Sequence, residues 1–461
     1  MNIDDLRGRF GGALLNRDDD GYEDARSIYN VAVTTTPAVI AQCEGVADVR
    51  EALAFARQAG MPVAVRSGGH SVAGACLVEG GLVLDLRKIS SVTVSPDARM
   101  AVVGGGTTWS VFDRATQEHG VATTGGRVST TGVGGLTLGG GSGWLERKYG
   151  LACDNLLSVE LVLADGRLVT ASETENPDLF WALHGGGGNF GVATSFTFRL
   201  HPLPDFSFAL LLWPMVESDA VAMCFRDLMA EASDDVGGAV LTMTGPPEEF
   251  VPDWLVGTLC CAALVTYTGP EAELRDLVAP LLELSPAGQV LTDIPYAELQ
   301  CMLDDPPGYR NYWSAEYLSA LPDEAVRRFC ASAYEMITPS PTMNVLLPWG
   351  GAVARAGWPM ANRDAPWVVH PFAMWENPAD DERVRRWVSN VRNALRDWST
   401  GAIYLNFIGD EGADRVVAGF GRENYDRLTA IKAEFDPDNV FNRWHNILPG
   451  KPAPRTKEQP A

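Results

Sequence analysis

The stretch Val63-Ala-Val-Arg-Ser-Gly-Gly-His-Ser-Val-Ala-Gly74 decides how this chain is read. An apolar run, Met61 to Val65, predicts a short strand that delivers the backbone into a loop of small residues. Gly68 and Gly69 let that backbone approach a ligand with no Cβ in the way. Successive N–H groups in such a loop cradle phosphate oxygens, and Arg66 stands beside them to add charge. His70 adds what a phosphate cradle does not need, a nucleophilic imidazole. The loop therefore reads as the holder of a dinucleotide cofactor, with His70 bonded to it.

Toward the N-terminus, a helix capped by Asp48, with Val49, Leu53 and Ala56 on one face, is expected to stop at Gly60. Toward the C-terminus, Gly81 to Leu86 reads as a strand, and Ser91–Val94 with Met100–Val103 as a hairpin. A helix from Trp109 to His119 follows. The segment Thr124 to Gly143 is the richest in glycine, yet Val128, Val133, Leu136 and Leu138 are interleaved in it. That pattern favours an ordered loop packed on a ligand over a flexible linker. A hairpin turning at Asp165-Gly166, a short helix after Asn176-Pro-Asp, the Gly185–Gly188 cluster and the alternating strand Ala193 to Leu200 complete the first unit.

Beyond Pro204 the pattern changes. Strands are expected at Phe208–Pro214, Gly257–Tyr267, Thr342–Val353, Trp367–Trp375 and Ala402–Ile408. Helices separate them, the clearest carrying Val384, Trp387, Val388, Val391, Leu395 and Trp398 at helical spacing. An amphipathic helix (Leu428, Ile431, Phe435) closes the chain, and the Pro/Lys/Gln-rich stretch 449–461 is expected to fray. The fold class is α+β, with a second domain of antiparallel sheet backed by helices.

A chain of 461 residues has room for a large core and two domains. Its formal charge of −23, from 36 basic and 59 acidic residues, argues against nucleic acid or an anionic membrane as partner. No apolar run reaches the length of a membrane span, and the N-terminus lacks the order of a secretory signal, so a cytoplasmic protein is the default. The cysteines, at 43, 76, 153, 224, 260, 261, 301 and 330, show no metal or redox spacing and read as buried free thiols. The six histidines offer no metal-binding spacing, and no Gly-x-Ser-x-Gly occurs.

No Gly-Lys-Ser/Thr follows any glycine cluster, which excludes a Walker P-loop. Gly186, Gly188 and Gly191 do match Gly-x-Gly-x-x-Gly, but a helix precedes them and a strand follows, the reverse of the Rossmann order. Three glycine clusters among antiparallel strands, with one histidine in the first, remain. This arrangement resembles the PCMH-type FAD-binding domain of the vanillyl-alcohol-oxidase superfamily, and within it the berberine-bridge-enzyme-like group. Arg66-Ser-Gly-Gly-His70, Gly132-Val-Gly-Gly-Leu-Thr-Leu-Gly-Gly-Gly-Ser-Gly143, Tyr149-Gly-Leu-Ala-Cys-Asp-Asn-Leu156, the Gly185 cluster and Asn439-Val-Phe…His445-Asn-Ile match it in order over nearly the whole chain.

The resemblance implies an FAD domain over 1–204, a substrate domain over 205–411 and a C-terminal segment, 412–461, that returns to the FAD domain. It implies a covalent bond from His70 to the flavin. Many relatives carry a second, cysteinyl anchor where this chain has Val128, so attachment through His70 alone is expected, with no role for Cys153. The cofactor contacts it implies are Arg66, Ser67, Gly68, Gly69, His70 and Ser71 in the first cluster. In the second they are Val128, Ser129, Thr130, Thr131, Gly132, Gly134, Gly135, Leu138, Gly139, Gly140, Gly141 and Gly143. Asp154, Asn155, Asn189, Gly191, Val192, Asn406 and Asn446 follow from the later motifs.

A flavin site takes a hydride from a substrate carbon while a base removes the adjacent proton. Alternation along Ala402–Ile408 puts Tyr404, Asn406 and Ile408 on one face, where relatives have an aromatic-x-Asn pattern beside the flavin. Tyr404 is the first candidate base and His370 the second; a satisfied core tyrosine and a buried structural histidine are the alternatives. Asn406 joins the catalytic set, and Tyr312, Trp313 and Trp375 join His370 and Tyr404 as substrate contacts, with an ordinary core patch the alternative at Tyr312 and Trp313. The expected function is oxidation of an alcohol, amine or related C–H centre of a small molecule, with O₂ regenerating the flavin. Thr131 is small where oxidase relatives keep a small residue. A dehydrogenase, an oxidative cyclase and a flavin-binding scaffold without turnover are the rivals.

Overall fold

The computed structural model describes residues 3–302, 304 and 307–450. The stretch 451–461, most of the segment expected to fray, lies outside the described residues, whereas the Gly450 N–H is held by the Thr429 carbonyl at 2.8 Å.

Strands β1 (Ala13–Leu15), β2 (Val39–Gln42), β3 (Val63–Arg66) and β4 (Leu82–Asp85) form a sheet in the order β1-β2-β4-β3. β4 runs parallel to both β2 and β3, a pairing that hairpin signals do not reveal. The helix Val46–Ala59 crosses between β2 and β3 and ends at Gly60, whose φ of 64° only glycine adopts freely. Asp48 is not its N-cap, which is Gly45. The buried Asp48 carboxylate instead accepts from Glu44 N (2.9 Å) and Gly11 N (2.7 Å), tying the helix entry to the N-terminal segment.

β5 (Val92–Ser95) and β6 (Met100–Gly104) form a hairpin, and β7 (Val121–Ala122) follows the helix Trp109–Gln117. β8 (Leu156–Val162) and β9 (Leu168–Ser172) form a second hairpin, and β10 (Val192–Arg199) joins the two in the order β5-β6-β10-β8-β9. The two-residue β11 (His201–Pro202) pairs with β7. The glycine-rich run Thr124–Gly143 is ordered and contains a short helix, Val133–Leu138.

The remaining strands build one large antiparallel sheet. They are β12 (Ser207–Pro214), β13 (Val236–Thr244), β14 (Leu259–Tyr267), β15 (Gly288–Asp293), β16 (Arg310–Trp313), β17 (Glu316–Leu318), β18 (Met343–Pro348) and β19 (Trp367–Trp375). Their order is β15-β12-β14-β13-β18-β19-β16, with β17 also on β19. β13 was hidden in sequence by Gly237 and Gly238, which weaken a strand signal. β18 stops at Pro348 rather than Val353 because Gly350 and Gly351 take φ of 94° and 58° and turn the chain. Ala402–Ile408 is not a strand: its alternating apolar residues enter a 3-10 turn at Leu405–Phe407.

Both faces of the large sheet are buried. Ala209, Leu211, Trp213, Val240, Val369 and Trp375 face the helices Ser218–Glu231, Asp323–Ser332 and Asp381–Ala394. The last of these buries Val384, Trp387, Val388 and Val391 as its spacing predicts. The opposite face, with Ala239, Leu241, Val345, Val368 and Phe372, joins the core of the first half of the chain. Period-two side-chain alternation makes this division. It leaves one sheet face for helices and one for the site.

All the cysteines are free thiols, buried except for the half-buried Cys224 and Cys301. No helix among the described residues is long and apolar enough to cross a membrane.

Candidate active site

A cavity of about 310 Å³ is lined on one side by the glycine clusters and on the other by the inner face of the large sheet. Its first wall is largely backbone. Gly68 and Gly132 meet so closely that a Cβ on Gly68 would stand 2.2 Å from Gly132 N, and one on Gly132 2.2 Å from Gly68 N. The first two glycine clusters are thereby locked together. Gly135 and Gly188 line the cavity in the opposite sense, since a Cβ on either would meet no atom within 4 Å. The N–H groups of Gly68, Gly69, His70, Ser71 and Val72 find no backbone acceptor among the described residues. A run of free donors beside glycines without clashes is a cradle for an anionic group.

His70 sits in this run, half-buried, with Nε2 2.9 Å from Thr130 Oγ1 and its ring stacked 4.3 Å from Tyr29. Desolvation, and then the nearby Arg66 charge, push its pKa down to about 4. The imidazole is neutral at physiological pH and keeps a nucleophilic lone pair.

Several expected contacts stand elsewhere. Arg66 is buried off the lining: its guanidinium donates to the carbonyls of Ala25 and Ser27 (2.6 Å for the latter), closing the turn that carries Tyr29 to His70. Ser129 turns to Asp304, donating from N (2.7 Å) and Oγ (2.5 Å), while Thr130 holds His70. Ser67, Gly68, Gly69, Ser71, Val128, Thr131, Gly132, Gly134, Gly135, Leu138 and Gly191 do line the cavity.

Gly139, Gly140, Gly141 and Gly143 do not line it, because other parts of the chain pack where side chains would be. A Cβ would stand 2.0 Å from Asn406 Oδ1 at Gly139, 2.9 Å from the Tyr404 ring at Gly140, 2.3 Å from Ala152 Cβ at Gly141 and 1.8 Å from Gly125 O at Gly143. These glycines serve protein packing.

Asp154 is likewise behind the wall, paired in the interior with Arg363 and accepting from Leu151 N. Asn155 donates to the carbonyls of Tyr149 and Leu151 and meets His201. Val192 packs with the helix-backed core of the first sheet, while its neighbours Gly191 and Ala193 line the cavity. Asn189 bridges the third glycine cluster to the C-terminal segment through Gly186 O, Trp444 O and Ile447 N. Asn446 lies off the lining, its Oδ1 buried without a partner.

The second wall follows strand parity. On β19, His370 and Phe372 face the cavity, whereas Trp375 faces the helices and donates to Asp381 at 2.8 Å. On β16, Trp313 lines the cavity, whereas Tyr312 packs on the helix side under Arg385. His370 Nδ1 lies 2.8 Å from the Ser314 carbonyl, so Nδ1 carries the proton and Nε2 the lone pair. Burial pushes its pKa down to about 4. Its ring stacks on Phe407 at 4.1 Å.

The FAD binding domain family matches residues 37–172, and the berberine and berberine-like family matches 403–448. A Bacillus subtilis FAD-linked oxidoreductase, YgaK, is 30% identical over 95% of this chain and 97% of its own. The (R)-6-hydroxynicotine oxidase of Paenarthrobacter nicotinovorans is 29% identical over 95% and 97%. Among solved structures, 6-hydroxy-D-nicotine oxidase from Arthrobacter nicotinovorans superposes with a TM-score of 0.84 at 26% identity, covering 96% of this chain and 98% of that one. The chain belongs to the berberine-bridge-enzyme-like FAD-linked oxidoreductases.

The wall of this FAD-linked oxidoreductase fits that cofactor: the free N–H groups at Gly68–Val72 and the open glycines Gly135 and Gly188 suit a pyrophosphate, and His70 stands in the middle of the run. The tyrosine of its C-terminal motif, however, is not placed as a base. Tyr404 is buried off the lining, and its oxygen accepts from Gly141 N (2.6 Å), Ser142 N (2.9 Å) and Asn406 Nδ2 (3.2 Å). Burial raises its pKa, and Tyr404 does not stand on the cavity lining. Asn406 lines the cavity and donates to Leu136 O at 2.9 Å. The pair clamps the second glycine cluster.

Several residues of the oxidoreductase escaped the sequence reading, among them Phe372 and Phe407 beside His370. Arg127 and Trp144 line the cavity, Arg127 bonding Ser142 Oγ (2.7 Å) and Glu146 (2.8 Å). A lone basic residue within a glycine run was the available signal. Lys432 is fully buried and bonds Asp436 (2.6 Å) and the carbonyls of Asn189 (2.5 Å) and Phe441 (2.7 Å), which sets Trp444 over Gly187. Its i,i+4 acidic partner reads as an ordinary surface pair. Glu411 accepts from Ser314 Oγ (2.5 Å) and pairs with Arg392 and Arg415, a ring that Glu316 completes. It braces the strand end that orients His370.

Proposed function

We propose that this protein oxidises an alcohol, amine or related C–H centre of a small molecule, with FAD attached through His70 alone and O₂ as the final acceptor. The observation that carries the reading is the pair of neutral imidazoles on opposite walls of one cavity, His70 among free backbone donors and His370 on the sheet. FAD, when bound, supplies the hydride acceptor and passes the two electrons to O₂.

His370 takes the proton. Nδ1–H is spoken for by Ser314 O, so Nε2 accepts the substrate O–H or N–H proton as the adjacent carbon loses hydride, leaving a C=O or C=N bond. Trp313 and Phe372, stacked at 4.4 Å, flank the imidazole and position the substrate against it while excluding water. Single attachment rests on Val128, which has no thiol, and on Cys76, the cysteine on the lining, whose burial raises its thiol pKa to about 11.

Acid precipitation followed by intact mass measurement tests the tether. A yellow pellet carrying one FAD per chain, colourless in His70→Ala, is the expected result, and a colourless wild-type pellet refutes covalency. Reoxidation of the reduced protein in air within seconds supports oxidase use; hours would sink it.

A further inference from the structure

Of the 59 acidic residues in this chain, none lines the cavity among the described residues. The formal charges on its wall are Arg127 and Arg443. Arg127 stacks over the Trp144 ring at 4.7 Å, and both residues line the cavity. Its partner Glu146 stands behind it, off the lining, so the pair turns its positive end to the cavity. Glu411, which accepts from the Ser314 hydroxyl behind His370, is already matched by Arg392 (3.1 Å) and Arg415 (3.0 Å).

The sheet wall of the same cavity carries aliphatic side chains, Ala239, Leu241, Met343, Val345 and Leu347, at alternating positions of β13 and β18. An ammonium ion entering this site would shed water with no protein carboxylate on the wall to receive it. An oligosaccharide would bury several hydroxyls against methyl groups, each left without a partner. A flat apolar molecule loses nothing of the kind, and a negative substituent gains from Arg127.

Resting on the oxidoreductase reading above, we propose that the substrate is an apolar alcohol, neutral or anionic, and that the site excludes ammonium compounds and oligosaccharides. The alcohol O–H gives its proton to His370 Nε2 and its carbon gives hydride to the FAD, so the product is the aldehyde or ketone.

The test is isothermal titration of the FAD-loaded protein at pH 7 with three isosteres, 2-naphthylmethanol, 2-naphthoate and 2-naphthylmethylammonium, and with xylobiose. The alcohol and the carboxylate are expected to bind at least about tenfold more tightly than the ammonium, with no saturation by xylobiose. Arg127→Met lowers carboxylate affinity about tenfold, whereas Arg127→Lys, which keeps the charge, retains the preference for the carboxylate over the ammonium. Equal or tighter binding of the ammonium, or saturable xylobiose binding, overturns the proposal. Failure of the broader reading shows separately, as a protein without flavin or a flavin that no bound alcohol bleaches under nitrogen.

Discussion

Asp113 offers a perturbation whose size follows from the structure. It lies on the helix Trp109–Gln117, 1% exposed, and its carboxylate has one hydrogen bond, from Gln300 Nε2 at 3.2 Å. The same Gln300 amide donates to Gly126 O at 2.6 Å, on the cavity wall, so the pair backs the second glycine cluster. Burial, only partly offset by Gln300, raises the Asp113 pKa from 3.8 to about 8. The folded protein therefore keeps a proton that the unfolded chain releases above pH ~4. Stability contributed by the neutral carboxyl is complete below the unfolded value and is lost as pH rises toward the folded one. Each pH unit in that window costs the fold about 1.4 kcal/mol, so from pH 5 to pH 7 the loss is roughly 2–3 kcal/mol. Asp113→Asn cannot ionise, keeps an acceptor for Gln300 Nε2 and adds a donor for Gln300 Oε1, which lacks a partner. Urea unfolding of both FAD-loaded proteins at pH 5, 6 and 7 should show the variant gaining on the wild type by that amount. A difference flat to within about 0.5 kcal/mol would refute a neutral buried Asp113.

Other perturbations act on the site directly. His370→Gln should slow anaerobic flavin bleaching by an alcohol by about 10²–10⁴-fold, while leaving the covalent flavin in place. In the wild type, kcat/KM should fall as pH drops toward 4 and the imidazole protonates, and the variant should lose that limb. Gly68→Ala puts a methyl group into the Gly132 backbone and should yield protein depleted in flavin, read as the ratio of visible to ultraviolet absorbance. Lys432→Met strands the buried Asp436 charge and should cost roughly 3–5 kcal/mol in denaturant unfolding; a loss below about 1 kcal/mol would deny Lys432 its role as the pin of the C-terminal segment.

Legibility in the sequence tracked how local the physics was. Gly60 at a helix end, the Asp165-Gly166 turn and the buried stripe of Asp381–Ala394 depend on neighbours a few residues away, and each stands where the pattern puts it. Parity on β19 was legible too: once the strand is granted, Trp375 must oppose His370, and grouping both with the substrate ignored that rule. The segment 402–408 misled because alternating apolar residues also suit a chain buried on several sides; Tyr404 and Asn406 meet through a 3-10 turn.

The sequence by itself determined the FAD-binding, α+β character of this protein, because glycine clusters in that order among strands are demands of backbone geometry that residues with a Cβ meet poorly. Which of those glycines face the cofactor, and which merely admit Asn406, Tyr404, Ala152 and Gly125, was decided only when distant segments closed against them. The same holds for the base. The sequence puts Tyr404 ahead of His370, and tertiary packing reverses that order by ringing the phenol oxygen with backbone amides while leaving the imidazole on the cavity wall. A side chain's chemistry belongs to its residue type, but its access and its partners belong to whatever the fold brings beside it.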